Sequence, residues 1–142
     1  MVAQIQEFLT GGDVVSRLED EEAVRRMRLL FERLAEPHFE TAMIGPDYLP
    51  GALEFNGFEG LVEAWRDWTS PFDSYTVELE RVISAEEHVV SLVSMSGTTK
   101  LGGPRIEAPA AAVWTVVDGR LRRVEFHLDR QAALRAAGLE SD

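Results

Sequence analysis

The chain has 142 residues, and its 14 basic and 25 acidic side chains give a formal net charge of −11 at pH 7. This length predicts one domain, and 45% hydrophobic with 27% charged residues is ordinary globular usage, which excludes a disordered or fibrous chain. The acidic surplus disfavours nucleic acid and anionic membranes as partners, because binding to both depends on Lys and Arg. With no cysteine, the chain has no disulfide, thiolate nucleophile or thiolate metal ligand.

Three segments have apolar side chains at spacings of three and four, which predicts helices with one buried face. The first is short and ends at Gly11, near an N-terminus with no basic leader or long apolar run, so we expect a cytoplasmic protein. The second begins after Asp20, whose carboxylate can cap it, and ends at Pro37. The third ends before Pro71 and is rich in aromatic residues. A strand over residues 38–44 and a turn-rich loop over 45–51 separate the last two helices.

After Pro71 the apolar period changes from about 3.6 to 2, which predicts strands. Three runs follow at 75–80, 88–96 and 105–117, and a last strand at 120–128 follows an Asp-Gly hairpin turn. Asp129 can cap a closing helix that ends at a glycine. Helices followed by a consecutive antiparallel meander indicate an α+β domain with helices on one face of the sheet.

The last hairpin carries a basic run at its start. Arg120, Arg122 and Arg123 lie within four positions of one another. We expect them on a solvated hairpin edge that faces acidic neighbours such as Glu78 and Glu80, an arrangement that contributes little stability.

Four segments carry a family resemblance: residues 58–65 (FEGLVEAW), 72–78 (FDSYTVE), 113–121 (VWTVVDGRL) and 129–134 (DRQAAL). Together with the order of elements, they resemble SnoaL-like proteins of the nuclear-transport-factor-two-like superfamily over about residues 20–139. The resemblance implies one cystatin-like α+β domain spanning 1–142, in which a strongly curved antiparallel sheet wraps around N-terminal helices as a cone. It also implies a deep apolar pocket and a homodimer. The superfamily includes ketosteroid isomerases, polyketide cyclases, dehydratases, epoxide hydrolases and proteins that only bind.

Two known reactions of the superfamily find little support in the residues. Ketosteroid isomerases use an aspartate base with a tyrosine and a neutral aspartic acid, and the resemblance places Met43, Ile5 and Ala112 at these positions. SnoaL-type cyclases carry an aspartate on the last strand, where this chain has Phe126, although a shift of one residue would bring Glu125 there. Isomerase chemistry is therefore disfavoured, and the cyclase reaction is not supported.

Aromatic side chains are the candidates for a pocket, because ligand cavities are mostly apolar with few polar groups. Val124, Phe126 and Leu128 alternate along the last strand and are expected to point into the cone. The alternative is ordinary core packing, which is the commoner role of aromatic residues at helical spacing. The predicted pocket-lining residues are Tyr48, Trp65, Trp68, Trp114, Val124 and Phe126.

Two His/Glu pairs are candidates for general acid/base chemistry. Glu125 and His127 lie two apart on one strand and share a face, so the carboxylate could orient the imidazole. Because Phe126 and its apolar neighbours face inward, this pair is expected to face solvent or a dimer partner. His38 and Glu40 repeat the spacing on the first strand. We expect no metal site, since the histidines are far apart in sequence without paired ligand spacing.

Two functions follow as hypotheses. In the first, the cone binds an apolar, cyclic small molecule. Whether it also catalyses a cofactor-free acid/base reaction of the isomerase, cyclase, dehydratase or hydrolase type is left open. In the second, the chain is a catalytically empty dimeric interaction or accessory module, whose outer sheet face buries against its copy. An ionisable side chain beside the tryptophans would favour the first, and a wholly apolar pocket would favour the second.

Overall fold

A computed structural model describes residues 2–10, 12–44 and 53–139. The predicted α+β architecture is confirmed, and within these ranges no helix combines the length and hydropathy needed to cross a membrane. The elements in chain order are α1 (Val2–Thr10), α2 (Val14–Glu19), α3 (Glu21–Leu34), β1 (Ala35–Ile44), β2 (Leu53–Asn56), α4 (Gly57–Thr69), β3 (Phe72–Ala85), β4 (His88–Thr99), β5 (Arg105–Val117), β6 (Arg120–His127) and α5 (Arg130–Ala136).

The strands form one open sheet in the order β2-β1-β6-β5-β4-β3. Helix α4 contacts β1 and β2 near one edge of the sheet and β3 at the other edge. Four steps of about 4.8 Å separate β1 from β3, whereas a helix is about 10 Å across, so the sheet must curve around α4. This is the predicted cone. One detail differs from the expected antiparallel sheet, because β1 and β6 run parallel.

The cone has an inner face and an outer face, each with its own apolar cluster. Phe126 on β6 lies opposite Ala112 on β5 and Met43 on β1, and this row faces inward, towards α1 to α4. Helix α5 covers part of the outer face. The buried members of the outer cluster are Val90, Ala111, Val113, Ala133 and Ala137.

Carboxylate caps set the start of three helices. Asp20 and Asp129 accept hydrogen bonds from backbone amides in the first turns of α3 and α5, as predicted. Asp13 caps α2 in the same way, through the Val15 amide at 3.0 Å, and also accepts from the Tyr75 amide of β3 at 3.1 Å. Asp13 thus ties a helix start to a strand far away in sequence.

The predicted turn residues adopt the expected conformations at the start of the last strand and at the end of the last helix. Asp118 and Gly119 have φ of 53° and 77°, the positive values that a two-residue hairpin turn requires. At the end of α5, Gly138 has φ of 78° and the Leu139 amide donates to the Leu134 carbonyl at 2.8 Å. This bond closes the left-handed glycine terminator.

The differences from the sequence predictions include two missed elements and an earlier start of β1. Helix α2 and strand β2 were not predicted, since 6 and 4 residues are too few to show a period. Strand β1 begins at Ala35, and Pro37 lies within it instead of closing the preceding helix. Proline is tolerated here because the register between β1 and β6 shifts between Ala35 and Glu40. The predicted loop over 45–51 lies outside the described residues.

The basic run on the last hairpin does not face β3, so that expectation is wrong. Arg122 pairs with Glu36 at 3.2 Å and Arg123 pairs with Glu40 at 2.6 Å, both on β1. The reason is the strand order, which places β6 beside β1 and leaves β3 at the far edge.

Candidate functional site

A small cavity of about 60 Å³ lies inside the cone. Strands β1 and β3 to β6 and helices α1 and α4 contribute to its wall, so it depends on the curvature of the sheet. It is smaller than an engineered apolar cavity of about 150 Å³ that holds benzene. Without movement of its walls it has room for a compact group of a few heavy atoms.

Four of the predicted pocket residues border this cavity: Trp65, Trp68, Trp114 and Phe126. The ring of Phe126 is the centre of the group, with centroids 5.0 Å from Trp65 and 6.2 Å from Trp114, both edge-to-face. Val124 is fully buried in the core and is not part of the cavity wall. Tyr48 lies outside the described residues.

One polar cluster in the wall consists of Gln6, Ser91 and Trp114. The Trp114 indole Nε1 donates to Ser91 Oγ at 3.1 Å, and the Gln6 amide Nε2 donates to the same oxygen. Ser91 is 1% exposed and Gln6 is 4% exposed, so these bonds are made away from bulk water. Sequence reasoning missed the cluster, although a serine amid the apolar residues of β4 was a usable signal.

A second polar chain joins Trp68, Tyr75 and Met95. The Trp68 indole Nε1 donates to the Tyr75 hydroxyl at 2.8 Å, and that hydroxyl donates to Met95 Sδ at 2.7 Å. Burial raises the pKa of Tyr75 to about 12, although the bond from Trp68 acts in the opposite direction. Tyr75 is therefore a neutral hydrogen-bond donor at physiological pH and cannot serve as a base.

The positions that match the ketosteroid isomerase groups carry no ionisable side chain. Met43 and Ala112 border the cavity on either side of Phe126, and Ile5 is buried in the core. Glu125 lies on the opposite face from Phe126, because successive residues of a strand alternate. The inner face of β6 therefore presents the phenyl ring of Phe126 to the cavity.

The structure brings Glu125 and His127 together on the outer face. The imidazole Nε2 lies 3.0 Å from Glu125 Oε1, and it is the donor because an ionised carboxylate only accepts. The hydrogen bond from His127, and a second one from Arg123, hold the pKa of Glu125 below its ordinary value, although burial opposes them. The pair was expected to face solvent or a dimer partner, but His127 is only 5% exposed and so does not face solvent. Its register partner, Ala111, packs against α5.

His127 also borders the cavity at the end of β6, where Leu128 follows it. Its side chain lies on the same face of β6 as Glu125, to which its Nε2 is bonded. Within the described residues, Nδ1 of this ring is buried without a hydrogen-bond partner.

His38 and Glu40 do not form the second predicted pair. His38 is exposed, whereas Glu40 binds Arg123, which in turn binds Glu125. Glu40 thus belongs to the ionic chain on the outer face. Across residues 2–10, 12–44 and 53–139, no group of three or more His, Asp or Glu side chains is placed to hold a metal ion.

Comparisons with known proteins agree with this geometry. A model of the SnoaL-like domain matches residues 35–124. No curated protein sequence matches the chain. Among solved structures, a proposed SnoaL-like polyketide cyclase from Jannaschia sp. CCS1 is 20% identical over 98% of this chain and 94% of its own, with a TM-score of 0.58.

Two further structures share the fold at low identity. An NTF2-like protein from Anabaena variabilis ATCC 29413 is 17% identical over 90% of this chain and 86% of its own, with a TM-score of 0.61. TerC, crystallised with polyporic acid, is 17% identical over 88% of this chain and 95% of its own, with a TM-score of 0.55. With the family match covering more than half of the sequence, the chain belongs to the SnoaL-like family, and it shares the NTF2-like fold.

Proposed function

We propose that this protein binds an apolar, cyclic small molecule in the cavity beside Trp65 and Trp114. The observation that carries the proposal is the composition of the wall, in which aromatic rings surround a few buried polar groups. This is the usual chemistry of small-molecule sites. TerC, which shares this fold, was crystallised with polyporic acid, an organic compound.

The size of the cavity limits how the ligand enters. A volume of about 60 Å³ accepts only part of a ring system unless side chains move. Met43 and Met95 border the space, and methionine adapts readily to irregular shapes because its side chain is unbranched and flexible. We therefore expect compact rings to bind first and larger ones to bind after displacement of these side chains.

Binding is favoured over turnover. The two ionisable residues on the described wall are Tyr75 and His127. Tyr75 stays protonated, because burial raises its pKa to about 12. The His127 ring lies with Glu125 on the other face of β6.

Tryptophan fluorescence tests the proposal, because three tryptophans border the cavity. The titration panel rises in size from single-ring hydrocarbons and ketones to terpenes, polyketides and steroids. We expect quenching or a spectral shift with at least one class. If no compound changes the emission, the proposal is wrong.

A matched pair of variants locates the binding. Val93 borders the cavity, and its neighbour Leu92 packs with the outer cluster, so the two half-buried side chains lie on opposite faces of β4. Val93→Phe places a larger ring in the cavity and should weaken binding at least tenfold. Leu92→Phe should retain it. Equal loss in both variants would place the ligand elsewhere.

A second candidate, a homodimeric interaction module, is supported by the sheet edge. Strand β3 pairs only with β4 among the described residues, and it carries Leu79 and Val82 at 40% and 46% exposure. Exposed apolar edge strands are sites of pairing between chains. Helix α5 already covers part of the outer face, where the sequence predicted the dimer contact.

Light scattering at micromolar concentration tests the dimer. We expect a mass of twice the chain's 15.9 kDa, and a monomeric mass would contradict the candidate. Val82→Lys should weaken a dimer that forms through β3. Leu29→Lys, at another exposed apolar position, on α3, is the control.

A further inference from the structure

The Ser91 hydroxyl occupies a special place in the cavity wall. Ser91 lies on the inner face of β4, opposite Ala112 of β5, and is 1% exposed. It borders the same space as Trp65 and Trp114. A hydroxyl in this position must satisfy its hydrogen-bonding capacity without bulk water.

The two hydrogen bonds of Ser91 occupy both lone pairs of its oxygen and leave its hydroxyl hydrogen unused. A hydroxyl has one hydrogen to donate and two lone pairs that accept. The Trp114 indole is a donor only, and it occupies one lone pair at 3.1 Å. The Gln6 amide nitrogen is also a donor, and it occupies the second lone pair.

With the Gln6 amide nitrogen directed at Ser91, the hydrogen of the Ser91 hydroxyl has no acceptor among the described residues. Leaving a buried donor unsatisfied costs about 1–3 kcal/mol, so an acceptor supplied from outside the chain is stabilising. The Tyr75 hydroxyl, in the second polar chain of the wall, has an acceptor, because it donates to Met95 Sδ. Of the two wall hydroxyls, Ser91 is the one that lacks an acceptor.

We propose that Ser91 is a specificity-determining residue of the cavity and that it donates its hydroxyl hydrogen to an acceptor oxygen on an otherwise apolar ligand. The ligand class is then a cyclic ketone, quinone, ester or ether instead of a plain hydrocarbon. Gln6 and Trp114 act as positioning residues, because their two donated bonds hold the hydroxyl hydrogen in the remaining direction. This inference rests on the proposed ligand-binding function.

The test compares two ligands of nearly equal shape. Cyclopentanone and methylenecyclopentane differ in one position, where the ketone has an acceptor oxygen and the alkene has a CH₂ group. Affinities are measured by NMR titration of the indole N–H signals, assigned with single Trp→Phe variants. The quantity of interest is the ratio of the two affinities, compared between proteins, because the difference in ligand hydration cancels in that comparison.

Ser91→Ala should lower the ketone-to-alkene affinity ratio about tenfold, which is the net effect of one lost hydrogen bond. The matched control is Ser94→Ala, which removes a half-buried hydroxyl from the other face of the same strand and should leave the ratio unchanged. An unchanged ratio in Ser91→Ala, with both compounds still bound, overturns the role of Ser91 and leaves the proposed function standing. A collapse of the ratio in Tyr75→Phe instead would make the Tyr75 hydroxyl the donor to the ligand oxygen, and this also overturns the role of Ser91.

A measurement on the unmodified protein covers the case in which Ser91→Ala fails to fold. When Ser91 donates to a ligand oxygen, its own oxygen becomes a better acceptor, which polarises the bond from Trp114. The Trp114 indole N–H signal should therefore move downfield with the ketone beyond any shift caused by the alkene. Equal shifts with both ligands overturn the inference. Binding of neither compound overturns the expected entry of compact rings and with it this inference, and the fluorescence panel then decides on the proposed function.

Discussion

The double role of Asp13 makes a quantitative prediction. Its carboxylate accepts from the Val15 amide at the start of α2 and from the Tyr75 amide of β3, at 3.0 and 3.1 Å. Asp13→Ala removes both bonds, together with an exposed one that Asp13 Oδ2 accepts from the Ser16 hydroxyl at 3.2 Å. Since Tyr75 borders the cavity, the second bond also fixes the strand segment that carries this hydroxyl. Comparison with a variant that removes only a helix cap separates the stability contributed by the cap from that contributed by the long-range bond.

The expected loss is the sum of two contributions. Removing a cap of this kind costs about 1 kcal/mol of folding free energy. Losing a charge-assisted hydrogen bond to a partly buried amide costs a further ~1.5–3 kcal/mol. Asp13→Ala should therefore reduce the free energy of unfolding by about 3 kcal/mol. Asp20→Ala is the matched control, because Asp20 accepts only from amides of its own helix, and we expect about 1 kcal/mol there.

Urea unfolding followed by circular dichroism provides the assay, with stability taken from the midpoint and slope of a two-state fit. We expect the two variants to differ by about 2 kcal/mol at equal slopes. Equal losses in Asp13→Ala and Asp20→Ala would refute the reasoning, since the bond to Tyr75 would then contribute nothing.

Three further predictions concern stability. Gly60→Ala should destabilise the protein by about 1–3 kcal/mol despite the better helix propensity of alanine, because the added Cβ would lie 2.9 Å from the backbone of Phe55; thermal unfolding measures this, and a gain in stability would contradict it. Gly138→Ala should cost about 1 kcal/mol at its φ of 78°, and an unchanged melting temperature would argue against strain there. The lowered pKa of Glu125 means that its contribution to stability is present above the ordinary value of 4.5 and is lost as the pH falls through the folded-state value. Glu125→Gln should therefore be less stable than the wild type at neutral pH and should converge with it in acid, and parallel pH profiles of the two proteins would refute this.

Much of the fold followed from local patterns. The caps at Asp20 and Asp129 and the turn at Asp118-Gly119 were predicted because each depends on residues within three positions of one another. The meander was predicted because consecutive strands pair with their neighbours in sequence. Two short elements escaped, since they show no period, and the parallel contact between β1 and β6 has no local signature.

The candidate site was predicted only in part. Trp65 and Trp114 were identified because large aromatic residues mark buried faces in any fold. The polar groups that give the cavity its chemistry were missed, because their partners are distant in sequence. Gln6 and Ser91 are 85 positions apart, and Ser91 and Trp114 are 23 apart. The pairing of His38 with Glu40 failed for the same reason, since Arg123 competes for the carboxylate from another strand.

The sequence by itself determined the α+β class, the helix caps, the hairpin turn and the absence of thiol chemistry, because these depend on composition and near neighbours. Only the tertiary structure decided which side chains meet. The strand order brought β6 beside β1 and gave the basic hairpin its acidic partners there. Curvature of the sheet around α4 brought Gln6, Ser91 and Trp114 to one cavity wall. Such contacts depend on how the chain closes in space, and no short window of sequence contains that information.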